Sequence, residues 1–259
     1  MTAGTGPTDG RTMHMRIADD IRIGIEAGEY PPGTQLPTLD ELAARHLCSL
    51  AVARQAVAVL RQQGLVITRQ GTGSFVRERP TARRHGMSRY SRSRWQSGEA
   101  VLIAEASRQG HEAAQLMRAL EEAPAPAAVA SILGISPGAL VWVRRRTTLI
   151  DGRPNQLADS YYPLAIAEKA PRIREENTGP GGGFARIEEA GITLARIREQ
   201  LQARMPTSPE TVALKLPEGT PVIELTRTTF DTADAPVEVF IAVIAADMVT
   251  FDYDFPIPD

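Results

Sequence analysis

Residues 31–76 read PPGTQLPTLDELAARHLCSLAVARQAVAVLRQQGLVITRQGTGSFV. Pro31-Pro32-Gly33 is a turn signal. Thr38 followed three residues later by Glu41 has the form of a capping box, so a helix opens there with Leu39, Leu42 and Ala43 as its buried stripe. Ser49 is a second candidate N-cap, and Val52, Ala56, Val57 and Leu60 give the next helix an apolar stripe that stops at Gly64. Leu65–Thr68 and Ser74–Val76 are β-prone runs on either side of Gln70-Gly71-Thr72-Gly73, which reads as a hairpin. Upstream, Ile17, Ile21 and Ile25 with Ala18 lie on one face of a first helix over Met15–Ala27, ended by Gly28. One helix, a turn, two short helices and a hairpin, in that order, make a winged helix-turn-helix. That module lays a helix in the major groove of duplex DNA and sets a hairpin beside it.

Length and charge place this module in a larger chain. A length of 259 residues fits one large or two modest domains, and 42% hydrophobic with 23% charged residues is an ordinary globular composition. Residues 1–99 carry 14 arginines against 9 acidic residues, whereas residues 100–259 carry 15 basic against 22 acidic ones. Halves of opposite sign point to a nucleic-acid domain joined to something else. Between Arg69 and Arg94 eight arginines face Glu78 alone, which reads either as a solvated linker or as phosphate contacts flanking the hairpin. The single cysteine, Cys48, excludes an intrachain disulfide, fits a reducing compartment and reads as a small core residue. The sequence has no apolar run long enough for a membrane span and no signal-peptide pattern, so a cytoplasmic location is expected.

Met1–Arg11 has no period and reads as a disordered tail. Glu78–Gly98 has no clean period either and reads as a linker, with Tyr90 and Trp95 as packing anchors. Beyond it, Pro126–Leu133 reads as a helix, Leu140–Leu149 as an alternating strand, Asp151-Gly152 as a hairpin turn and Asn155–Tyr162 as the returning strand. Ala185–Ala190 and Leu194–Ala203 read as helices. Pro209–Leu214, Val222–Asp231 and Val237–Ala246 complete a mostly antiparallel sheet. The fold class expected is α+β.

From about Ile17 to Val76 the chain resembles the DNA-binding domain of the GntR family of bacterial transcription regulators. The resemblance rests on PPGTQLP, on ELA in the second helix, on Arg54-Gln55-Ala56 in the third and on GLVITRQGTGSFV. It implies that Ser49, Leu50, Ala51 and Arg54 face base edges, that Arg54 forks onto a guanine, and that Thr38, Arg69, Gln70, Gly71, Thr72 and Gly73 lie against the DNA. Two positions depart from the family. Asp40 and Leu50 stand where arginines are usual, and Leu50 offers only apolar contact, such as to a thymine methyl. The family's usual operator preference is therefore not carried over.

From about Gly98 to Phe255 the chain resembles the UTRA ligand-sensing domain, of chorismate-lyase-like fold, which defines the HutC-type branch of that family. The matching residues are LGISPGALVWVRRR, IDGRP, DSYYP, ARIEEAGI, LPEGTPVIELTRTTFD and PVEVF. In sugar-phosphate sensors of the branch, arginines on the strand bearing Arg144 and Arg146 bind the phosphate. Ser160, Tyr162 and Glu238 complete the expected effector site. Ala158 replaces a glutamate common in relatives, and Ile241, Val243 and Ile244 replace a more polar strand. Those departures predict a less polar pocket and an acidic or partly apolar small molecule.

The expected organisation is a tail (1–12), a winged domain (13–78), a linker (79–98) and a sensing domain (99–259). The partners expected are a double-stranded operator, a small-molecule effector and a second copy of the chain, without cofactor or metal. Two alternatives stand beside this reading: a repressor that senses no ligand, and an enzyme using the lyase-like fold. His14, His46, His85 and His111 are scattered, and no metal-ligand spacing, phosphate loop or nucleophile elbow accompanies them.

Overall fold

A computed structural model describes residues 11–78, 82–86, 88–96, 101–255 and 257. The expected tail thus falls, for residues 1–10, outside the described residues. Two compact units emerge: Met1–Arg79 with Pro217–Thr220, and Pro80–Leu216 with Pro221–Asp259.

The first unit holds α1 (Met13–Glu26), α2 (Leu39–Arg45), α3 (Leu50–Gln62), β1 (Val66–Arg69) and β2 (Gly73–Val76). Both caps form as the sequence predicts. Thr38 Oγ1 accepts from the Glu41 amide at 3.3 Å, while the Thr38 amide donates to Glu41 Oε2 at 2.8 Å. Ser49 Oγ accepts from the Val52 amide at 3.4 Å. Each cap supplies a partner to a helix-end donor, an effect of about 0.5–2 kcal/mol. Ile17, Ile21, Leu36, Leu42, Ala53, Ala56, Leu60, Val66 and Val76 form one core, with Cys48 packed at its margin. Ala56, Val57 and Leu60 are buried as read, and Ala53, fully buried, joins them where Val52 is only half-buried. The hairpin pairs Val66 with Val76 and Arg69 with Gly73. A bridge from Gln35 to Phe75 ties the Pro31–Pro37 turn to its outer strand.

The second unit opens with β3 (Ala82–His85), α4 (Arg92–Gln96), α5 (Val101–Arg108) and β4 (Ala113–Pro124). It continues with α6 (Ala127–Leu133), β5 (Leu140–Ile150), β6 (Arg153–Pro163), α7 (Leu164–Lys169) and α8 (Gly182–Glu189). It ends with β7 (Leu194–Arg204), α9 (Ser208–Ala213), β8 (Val222–Asp231), β9 (Pro236–Ala245) and β10 (Val249–Asp252). Six strands form an antiparallel sheet in the order β4-β5-β6-β9-β8-β7, while β3 and β10 pair in parallel as a separate ribbon. The α+β class is as expected.

Three segments differ from the sequence reading. Leu194–Ala203, read as a helix, is the edge strand β7, because pairing with β8 from Leu194↔Asp231 to Arg204↔Val222 overrides the helical preference of its Ala, Arg, Glu, Gln and Leu. Pro209–Leu214, read as a strand, lies in α9, which Thr207 and Glu210 open with a capping box. Within 79–98, read as a linker, Ala82–His85 is paired strand and Arg92–Gln96 is helix. Trp95 and Tyr90 do anchor that stretch, with ring centroids 5.4 Å and 6.2 Å from Phe184.

Leu47, in the turn between α2 and α3, has φ of 49° and is 93% exposed. A left-handed backbone costs an L-residue about 1–2 kcal/mol, and asparagine tolerates it better. Leu47→Asn is expected to stabilise the first unit by about 0.5–1 kcal/mol, read as a higher urea midpoint. A lower midpoint would show that the exposed leucine contributes packing after all.

Candidate DNA-reading face and effector cavity

Ser49, Leu50, Ala51 and Arg54 are all exposed on the first turns of α3, and Leu50 is 46% exposed despite its apolar side chain. Burying Ala53, Ala56, Val57 and Leu60 turns this other face outward. Asp40 is exposed near the start of α2. Thr38 is committed to its capping box, so its side chain is already satisfied within the domain.

At the hairpin tip Arg69, Gln70, Gly71 and Thr72 are exposed, with the Arg69 guanidinium 4.8 Å from the Phe75 ring centroid. The two glycines differ. Both have positive φ, 73° and 119°, but a side chain at Gly71 would meet open space, whereas Gly73 packs against Gln35, whose amide donates to the Thr72 carbonyl at 2.9 Å. Gly73 is thus needed within the hairpin itself. The arginine cluster also divides. Arg77, Arg84 and Arg89 are buried (7%, 6% and 3% exposed), which removes them from the candidate phosphate contacts. Arg79 and the Arg94 side chain lie outside what is described.

In the second unit, period-2 alternation sorts the sheet into two faces. Val141, Val143, Tyr161, Val239 and Ile241 pack under Val129, Ala130 and Leu133 of α6. Arg144 and Arg146, Ala158, Ser160 and Tyr162, and Glu238 and Phe240 face the other way and line a cavity of about 500 Å³. All five residues proposed from sequence for an effector site therefore share one cavity. The loss of polarity expected from Ile241, Val243 and Ile244 does not reach this cavity. Ile241 and Val243 belong to packing clusters away from the cavity, and Ile244 does not line it either. Ala158 does line it, opposite Arg146 in the β5–β6 register.

The cavity is rich in guanidinium. Arg84, Arg89 and Arg227 join Arg144 and Arg146 in its wall, and sequence reasoning assigned none of these three to it. Arg227 Nη2 donates to Glu238 Oε2 at 2.7 Å, and Tyr162 donates to Glu238 Oε1 at 2.8 Å. Burial alone would raise the Glu238 carboxyl, but Arg227, Tyr162 and Arg146 outweigh it and hold the group below the usual carboxylate range. Burial pushes Arg89 down to about 10, with Arg84 adding repulsion, so it remains charged at neutral pH. Arg146 Nη2 donates to Ser160 Oγ at 2.6 Å, while its buried Nε has no partner among the described residues. Neither Arg144 nor Arg146 forms an ion pair among the described residues, so one buried and one half-buried positive charge lack a carboxylate in direct contact.

A helix-turn-helix with an exposed reading face and hairpin, carried on a chain whose sheet encloses a charged, ligand-sized cavity, defines a ligand-sensing DNA-binding regulator. The comparisons agree with that class. Residues 14–76 match the bacterial regulatory proteins of the gntR family, and residues 108–250 match the UTRA domain. An uncharacterized HTH-type transcriptional regulator of Streptomyces coelicolor is 33% identical over 249 residues, covering 94% of this chain and 92% of its own. The HTH-type transcriptional repressor PhnF of Mycolicibacterium smegmatis is 26% identical over 97% of this chain and 95% of its own. A crystal structure of a GntR-family transcriptional regulator superposes with a TM-score of 0.69 at 29% identity, covering 96% of this chain and 99% of that one.

The chain belongs to the GntR family of transcription regulators, in the HutC-type branch that carries a UTRA domain. It is a DNA-binding regulator and not an enzyme. No helix among the described residues is long and apolar enough to cross a membrane.

Glu238→Ala would leave the largely buried Arg227 without its carboxylate. The expected cost is about 3–5 kcal/mol in urea unfolding of the full chain. A cost below about 1 kcal/mol would show that water reaches the pair freely.

Proposed function

We propose that the chain is a cytoplasmic, homodimeric repressor whose two winged domains read an operator of two half-sites about one helical turn apart. The exposed start of α3 supports the reading. Arg54 can fork onto guanine O6 and N7, Ser49, Leu50 and Ala51 approach the neighbouring bases, and Thr38, Arg69, Gln70, Gly71, Thr72 and Gly73 border the backbone. The repressor assignment draws on PhnF of Mycolicibacterium smegmatis, which is named as one.

The effector is a small anion whose site is lined by Arg144, Arg146, Ser160 and Tyr162, with Glu238 placed to accept from a hydroxyl or amine of the same molecule. What carries this is the charge balance of the cavity. Glu238 is already neutralised by Arg227, while Arg144 and Arg146 have no carboxylate partner among the described residues. A buried charge without a counter-ion is costly, and an anionic ligand supplies one. The effector changes operator affinity only to the extent that it binds one arrangement of the dimer better than the other.

Operator selection from a random duplex pool tests the DNA reading. Wild type should enrich a motif of two half-sites. Arg54→Ala should bind that motif about 10–100-fold more weakly and lose preference at one base position. Arg69→Ala should weaken every sequence alike and reduce the salt slope by about one. A pool from which wild type enriches nothing would sink the proposal, as would light scattering that finds only monomer when operator is bound.

A further inference from the structure

Arg144 and Arg146 sit two residues apart on one face of β5, yet their guanidinium groups have different partners. Arg144 is spent on backbone. Its Nη1 donates to the Ile173 carbonyl at 2.6 Å and to the Glu175 carbonyl, and its Nη2 donates to the Glu176 carbonyl at 3.0 Å. Ile173 lies in the 3-10 turn Pro171–Arg174, and Glu175 and Glu176 lead from it into Asn177–Gly183. From Glu176 to Gly183, every residue but Pro180 lines the cavity.

Residues 173–183, from that 3-10 turn into the first turn of α8, form a flap whose one core anchor is the buried Ile173 at its start. Gly179, Gly181 and Gly182 all have positive φ. It is held at one end by Arg144 and towards the other by Arg186, whose Nη2 donates to the Pro180 carbonyl at 3.1 Å. Arg146 instead makes one side-chain bond, to Ser160, and keeps a buried, unpartnered Nε beside the cavity. A guanidinium has five N–H donors in a fixed fork. Three of the donor bonds made by Arg144 go to the flap, and recruiting it to an anion would mean breaking some of them.

We propose that Arg144 is a positioning residue that latches the 173–183 flap over the cavity, and that Arg146 is the residue that meets the anion. This rests on the effector reading above and divides between two residues a task that the family resemblance assigns to both. Once latched, the flap presents the backbone of Thr178–Gly183 as one wall of the site, so Arg144 affects the ligand through the flap.

Hydrogen exchange followed by mass spectrometry on the full chain separates the two roles. Without ligand, Arg144→Gln should speed amide exchange across 173–183 by about tenfold or more, while Arg146→Gln leaves that segment within about twofold of wild type. Arg144→Lys, a point cation on a flexible stem, should fall between and serves if the glutamine variant does not fold. Inorganic phosphate is the probe for the second arm. It should slow exchange around 178–183 in wild type and, to a lesser degree, in Arg144→Gln, and should have no effect in Arg146→Gln.

Unchanged flap exchange in Arg144→Gln would overturn the latch. So would phosphate protection that is lost in Arg144→Gln and kept in Arg146→Gln. Phosphate that protects nothing in wild type would count against the anion reading of the cavity and against the part given to Arg146. The unliganded comparison would still decide the latch separately.

Discussion

The register between β6 and β9 is the constraint on which the sensing half depends. Ser160 lies opposite Phe240 and Tyr161 opposite Val239, at the centre of the sheet. Because strand side chains alternate, this pairing decides which residues reach the cavity and which reach α6. A slip by one residue would bring Val239 and Ile241 to the cavity and turn Glu238 towards an apolar layer. Burial of Val141, Val143, Tyr161 and Val239 against α6 resists that slip, so ordinary packing on one face fixes the chemistry of the other. The Arg227–Glu238–Tyr162 cluster then reads as a polar layer held in place from behind.

Much of this was legible in the sequence. The winged domain could be read almost whole, since its signals are local: a capping box, a second cap, two helical stripes and a glycine-tipped hairpin. The β5–β6 hairpin was equally plain, because alternation on both strands meets at Asp151-Gly152. Arg144, Arg146, Ser160 and Tyr162 are brought together because each lies on the inward phase of a strand whose alternation could be read, whereas Glu238, on β9, was named from the resemblance alone.

The rest was hidden for identifiable reasons. Strands β4 and β7 are the two edges of the sheet and are built from Ala, Gln, Arg, Glu and Leu, good helix formers whose strand state depends on a neighbour far along the chain. The capping box at Thr207 and Glu210 was present and, if weighed, would have identified α9. Arg227 sits on a strand without clean alternation, and Arg84 and Arg89 come from a stretch whose composition resembles a linker. The departures at Ile241 and Val243 were real, but they lie on the wrong phase of β9 to affect the pocket. Polarity along a strand informs about a site only after the residues are sorted by face.

The β3–β10 ribbon has a consequence for biosynthesis. It joins Ala82–His85, at the start of the second unit, to Val249–Asp252, which follows all six strands of the main sheet. Glu238 likewise reaches its place only when β9 pairs with β6, Gln156 meeting Ile244. The helices and hairpin of the winged domain, by contrast, are complete by Val76. As domains fold from the N-terminus while the chain leaves the ribosome, the part that grips DNA takes shape first. The part that senses waits until Val249–Asp252 has been made. Each new molecule thus passes through an interval in which it has a DNA-reading domain and no finished sensor.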